Sequence, residues 1–225
     1  MKKTTLKNYA KLLAVSGISV KKNDVVIINA GLDQPEFVYM CVEACYKAGA
    51  AKVSVDWSYQ PLTKLGVHYQ KEKTLGTLEK WQIEKWEHQA EVLPCKIYLM
   101  SEDPDGLAGI NQKKYAKAMA SRSKTIKPIR NRMENKYQWC IAAVPGKEWA
   151  KKIFPGERAS VAVEKLWEAI LSTSRVNDDP VKAWEEHNPH PAGGSLPPGP
   201  AHHLSAIQSG PTPGPYLRHV GSLIH

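Results

Sequence analysis

The stretch DVVIINAGLDQPEFVYMCVEACYKAGAAKVSVDWS, residues 24–58, decides the fold. It opens with a short β-branched run that ends at Gly31, the pattern of a strand buried on both faces. Pro35 suits a first helical turn and Gly49 a helix end, so the segment between them predicts a helix. AKVSVDWS (51–58) reads as a second strand. Strand, helix and strand in so few residues make a βαβ unit, which implies a parallel sheet with helices on its faces.

The pattern extends in both directions. Upstream, TTLKNYAKLLAVSG (4–17) places Leu6, Tyr9, Ala10 and Leu13 on one stripe and stops at Gly17, predicting a helix. Downstream, 77–93 predicts an amphipathic helix with Leu78, Trp81, Ile83 and Trp86 on its apolar side. Strands are expected at 95–103 and 139–145, and a helix at 113–133 between them. A short helix from Gly146, a longer one over 160–174 with Ser160 as its cap, and another over 179–187 opened by Pro180 complete the reading. The expected fold is α/β, a mostly parallel, doubly wound sheet sandwiched by helices. Residues 59–76 receive no bounded element, although His68 there lies in charged helical surroundings.

At Asn188 the composition breaks. Residues 188–225 contain no Lys, Asp or Glu, yet hold eight of the sixteen Pro, six of the fifteen Gly and five of the eight His. Such a segment buries too little apolar surface to offset the entropy of ordering it, and a disordered Pro/Gly/His-rich tail is expected. The change falls inside a helix signal, which suggests a frameshifted or truncated reading frame. The domain division is therefore 1–187, an N-terminal α/β domain, and 188–225, the tail.

Bulk properties narrow the function classes. A formal charge of +9 would attract anions, but the lysines are interspersed with acids such as Glu79, Glu84 and Glu87, and no basic block or RNA-type aromatic motif occurs. No nucleic-acid partner is expected. No apolar run approaches the roughly 20 residues of a membrane helix, and no signal-type segment follows Met1, so a cytoplasmic location without membrane association is expected. Cys41, Cys45, Cys95 and Cys140 lie in apolar stretches without CxxC spacing and read as reduced, buried thiols.

Candidate chemistry is sparse. The loop NAGLDQP (29–35) joins a strand end to a helix start, a place suited to anions, but has one Gly where nucleotide loops have a series. SEDPDGLAG (101–109) places Glu102, Asp103 and Asp105 after a strand, where carboxylates can bind a divalent ion or exchange protons; the same residues also make an Asp-Pro turn, and that structural reading is preferred. His187, His190, His202, His203, His219 and His225 near the C-terminus offer imidazoles without ordered support, and His68 and His88 lie in charged, exposed-looking helices. No GxSxG, HExxH or catalytic cysteine context is present.

In order and spacing, LKNYAKLLAVSGISVKKNDVVIINAGLDQPEFVYMCVEACYKAGAAKVSVDWS resembles the opening of the aminopeptidase T and aminopeptidase S metallopeptidases. The SEDPDGLAGI loop, the 113–133 helix, QWCIAAVPGKEWAKKIFPG, AVEKLWEAIL and DPVKAWEEH carry the resemblance on to residue 187, most specifically at Trp139, Pro145, Trp149, Ala150, Phe154 and Pro155. The resemblance implies release of N-terminal residues from peptides with two divalent metal ions (Zn, Co or Mn), in a homodimeric enzyme. In that family the Glu, His and Asp ligands and proton shuttle lie in the second half. This chain departs from the pattern at Asn188, so no catalytic, cofactor-binding or metal-ligating residue carries over, no metal is expected to be held here, and the chain alone is expected to be inactive. A face left for the missing half is expected along the helices after Lys147, on Trp149, Ile153, Phe154, Leu166, Trp167, Ile170 and Trp184. The alternative from another class is a free-standing α/β module that binds a small anion or a partner chain through the 29–35 and 101–109 loops.

Overall fold

Val25–Gly31 (β1) is the strand from which the sheet is built, because it pairs in parallel on both edges. On one side it meets Lys52–Ser58 (β2), with Val26 opposite Val53, and on the other Cys95–Met100 (β3), with Val26 opposite Cys95. Trp139–Ala143 (β4) extends the parallel ladder beyond β3. The computed structural model describes residues 1–174, 176, 181–182 and 207–209. Within the segment expected as a disordered tail, Ile207–Ser209 (β5) runs antiparallel to β4 and completes the order β2-β1-β3-β4-β5. The other residues of 188–225, with all six histidines of positions 187–225, lie outside the described residues, as does most of the expected 179–187 helix.

Eight α-helices surround the sheet among the described residues: Lys3–Leu12 (α1), Pro35–Ala48 (α2), Gln60–Tyr69 (α3), Glu72–Gly76 (α4), Lys80–Val92 (α5), Gln112–Met133 (α6), Lys147–Ile153 (α7) and Ala159–Thr173 (α8). The first continues as one π-helical segment, Leu13–Gly17. Gly49 ends α2 in the left-handed conformation at φ 114°, as its position after the last apolar turn predicted. The expected cap of α8 is corrected: Ser160 lies inside the helix and Arg158 is the residue before it, with no side-chain cap.

Alternation along the strands divides the interior into two layers. Val26, Ile28, Ile97, Leu99, Cys140 and Ala142 face α1, α2, α7 and α8, where the rings of Tyr9, Phe37 and Trp167 pack within 6.2 Å of one another. Tyr9 is fully buried and its hydroxyl donates to the Ala143 carbonyl at 3.2 Å. Trp139, Ile141 and Tyr98 face the opposite side, against Met133 at the end of α6, Tyr137 in the segment after it, Trp86 and Ala90 of α5 and Leu93 just past its end. Lys96 lies in this second layer, its ammonium donating to Gln89 Oε1 at 2.8 Å between the rings of Trp86 and Tyr137. Burial drives its pKa down to about 8, because the charged form loses hydration that one amide and two π faces only partly replace.

Two expectations about exposed apolar surface are corrected. Trp149, Leu166, Trp167 and Ile170 are buried, because α7 and α8 turn these side chains inward against α1 and α2, and Ile153 and Phe154 are half-buried against the same core; Trp184 lies outside the described residues. Trp81, expected on the apolar side of its helix, is 63 % exposed, since α5 rests on the sheet through Trp86, Gln89 and Ala90. Large exposed apolar side chains concentrate instead on α3, at Leu62, Leu65 and Tyr69. Among the described residues no helix is long and apolar enough to cross a membrane.

Candidate functional site

The two loops singled out in the sequence meet at one place. β1 and β3 are neighbours and parallel, so the loops leaving them emerge side by side at the same edge of the sheet. The connection after β1 leads to β2 on one side, whereas β3 lies on the other, and such a reversal opens a crevice beyond the strand ends. A cleft of about 390 Å³ lies there, lined by Asp33 and Leu32 after β1, Tyr59 and Gln60 after β2, Ser101 and Glu102 after β3, and Lys64 and Lys147 at its rim.

Hydrogen bonds fix its floor. Ser101, almost fully buried, donates from Oγ to Asp33 Oδ1 at 2.9 Å. The Gln34 amide donates both to Asp33 Oδ2 and to the Pro145 carbonyl, each at 3.1 Å, which ties the β1 loop to the segment after β4. Close backbone approach explains Gly146: a Cβ there would stand 1.9 Å from the Ser101 carbonyl oxygen, so only glycine fits. Gln60 clasps the third loop, donating to the Asp103 carbonyl at 3.1 Å and accepting from the Asp103 N–H at 3.0 Å.

The acids of SEDPDGLAG separate into two roles. Asp103 accepts from the Asp105 N–H at 2.9 Å within its own turn, and Asp105 pairs with Lys152 at 2.7 Å, so both act as the turn residues preferred from the sequence. Glu102 faces the cleft; desolvation by the cleft wall, then the Asp33 carboxylate, raises its pKa. Lys64, Lys147 and Tyr59 were not singled out in the sequence, because only the juxtaposition of distant loops brings them to the cleft. His68 and His88 are exposed and stand apart from it. The four cysteines are free and buried, and burial pushes the thiols of Cys45 and Cys95 up to about 12 and about 11.

The cleft offers a positive rim over an acidic, hydrogen-bonded floor. It can hold a polar group of either sign. Among the described residues no three His, Cys, Asp or Glu side chains are placed to share a metal ion. The donor set here therefore does not fit a two-metal centre, which needs several carboxylates or imidazoles converging on each ion.

Aminopeptidase PepS of Streptococcus thermophilus is 32% identical over 188 residues, which are 82% of this chain and 46% of the relative. Aminopeptidase AmpS of Bacillus subtilis is 31% identical over 185 residues, 81% of this chain and 45% of its own length. The solved structure of wild-type AmpT from Thermus thermophilus superposes with a TM-score of 0.72 at 26% identity, covering 82% of this chain and 46% of that one. The chain thus spans just under half the length of the curated relatives it matches. The thermophilic metalloprotease (M29) family matches residues 2–192, most of the sequence. The chain belongs to the thermophilic metalloprotease (M29) family.

Proposed function

We propose that this chain is the N-terminal α/β part of a metal-dependent aminopeptidase, acting in the release of N-terminal residues from peptides, and that it does not catalyse this reaction alone. The observation that carries the reading is the match of residues 2–192 to the metalloprotease family, together with relatives whose alignable part is 45–46% of their length. The described residues furnish no donor set for two divalent ions, so Zn, Co or Mn would be held by a second half, with a water activated between them. The division at residues 187 and 188, a cytoplasmic location, a homodimeric assembly and the absence of catalytic or metal-ligating residues from this chain belong to the same proposal. Within it, the β-strand ends and their cleft form one wall of the space where peptide and metal half meet.

The test joins residues 1–192 to the second half of the Thermus thermophilus aminopeptidase. The folded chimera is expected to hydrolyse leucine p-nitroanilide when Co or Zn is supplied, and the 225-residue chain alone to show no turnover above buffer. Metal-dependent turnover by the chain alone, or a folded chimera without activity, overturns the reading. A second reading, an anion or partner-binding module, is favoured by one observation: the 29–35 and 101–109 loops form one cleft rimmed by Lys64 and Lys147. Saturable binding of inorganic phosphate to the chain alone, lost in Lys64→Ala and Lys147→Ala, would support it.

A further inference from the structure

α3 is held in place without using its apolar side. Of its ten residues only Val67 is buried, while Leu62, Leu65 and Tyr69, spaced i, i+3 and i+7, are 65%, 51% and 78% exposed. That spacing puts the three on one face. The helix is fixed by polar contacts at its ends: the paired hydrogen bonds of Gln60 with the Asp103 backbone, and the Lys114 ammonium donating to the Val67 carbonyl at 2.5 Å. A second cleft, of about 650 Å³, opens beside the stripe between Leu65, His68, Ile110 and Lys114. The first cleft adjoins the start of the same helix through Gln60, Pro61 and Lys64. An apolar stripe beside two clefts that share Pro61 and Lys64, on a helix tethered at its ends, has the form of a docking face with no partner among the described residues.

Its surroundings select the occupant. Lys64, Lys71, Lys73 and Lys114 lie on or beside α3 and α4, where the nearest acid of these helices, Glu72, already faces Lys117 at 3.9 Å, while the carboxylates Glu102 and Asp103 lie in the first cleft at the start of α3. A second copy meeting this face about a two-fold axis would set the same cations against each other, which costs rather than stabilises. A mixed apolar and charged face is the usual character of contacts between domains of one chain. The matched relatives continue for more than their own aligned length beyond or around the shared part. Resting on the reading under Proposed function, we infer that the Leu62–Leu65–Tyr69 stripe of α3 docks the metal-bearing half of the enzyme, through an apolar segment rimmed by carboxylates.

Thiol labelling tests the face separately from the activity. The native cysteines are buried, so a cysteine placed on the surface is the fast-reacting thiol. Leu65→Cys, Tyr69→Cys and, as control on α2, Tyr39→Cys are made in the 225-residue chain and in the chimera with the Thermus thermophilus second half, and maleimide labelling rates are compared. Protection of at least about tenfold at positions 65 and 69 in the chimera, with position 39 unchanged, is expected for a docked face. Equal labelling at positions 65 and 69 in both proteins overturns the inference, whatever the activity. Protection in the chain alone that grows with concentration alongside a dimer mass also overturns it, in favour of a second copy. Protection without peptidase activity keeps the docking face and removes the aminopeptidase reading.

Discussion

Ser101 and Asp33, 68 residues apart in sequence, are joined by a 2.9 Å hydrogen bond that locks the loop after β3 to the loop after β1. Because Ser101 is nearly fully buried while Asp33 is open to solvent, water can replace the donor on one side only. Ser101→Ala is therefore expected to lower stability by about 1 kcal/mol, the usual net worth of one hydrogen bond. Ser101→Val, which adds a methyl group against the same tight floor, is expected to cost more. Urea-denaturation midpoints of the two variants check the order.

Two glycines nearby are required for different reasons, and substitution separates them. Gly146→Ala forces a carbon to 1.9 Å from the Ser101 carbonyl oxygen, so the backbone must move and the loss is expected to be on the order of 3 kcal/mol. Gly109 has φ 78° and open space where a Cβ would stand, so Gly109→Ala carries only conformational strain, about 1 kcal/mol. Similar losses for the two would contradict the close-approach account.

The Lys96 ammonium gives stability a rising limb with pH. Its folded pKa is depressed to about 8 from 10.5, so between these values the unfolded chain binds the extra proton and unfolding becomes harder as pH increases. Below about 8 both states are protonated and the burial cost is present in full. The stability difference between wild type and Lys96→Met is expected to shift in favour of wild type from pH 8 to 10, by at most about 3 kcal/mol at 1.36 kcal/mol per pKa unit. Comparing the two proteins cancels the opposing contribution of the buried thiols and tyrosines, whose raised pKa values lower stability as the unfolded forms ionise. A pH-independent difference would contradict the assignment.

The thiols should be silent until the fold opens. Cys41, Cys45, Cys95 and Cys140 are all buried, with ionisation suppressed by desolvation. Ellman's reagent at pH 8 is expected to find essentially no fast thiol in the native chain and all four in guanidinium. Rapid native reaction at Cys95, beside Asp24, would point to local opening at the start of β3.

Much of the fold was legible because β1, α2 and β2 declare themselves within one short stretch through branched runs, Pro35 and Gly49. α3 and α4 were not legible. Leu62, Leu65 and Tyr69 do have helical spacing, but Pro61 and Gly66 interrupt the signal. Conversely, Trp149 and Trp167 looked like surplus apolar surface, because a sequence does not tell which neighbour will cover a ring; here Tyr9 and Phe37 complete the cover of Trp167. Both loops of the cleft were named from their position after strands. Their closure by Ser101 and Asp33, and the arrival of Lys64 and Lys147, depend on the order of strands across the sheet, which local pattern does not encode.

That strand order also sets a timetable for synthesis. β1 can pair with β2 once residue 58 has emerged, but its other edge waits for β3, which ends at residue 100. At 5–20 residues per second a ribosome needs roughly two to eight seconds to add the intervening chain. Throughout that interval the Val26–Asn29 edge presents unpaired amides beside branched apolar side chains, the arrangement most open to wrong pairing with another nascent chain. Slowed translation across α3 to α5 would lengthen this exposure, and a holdase that shields β1 would shorten its consequences.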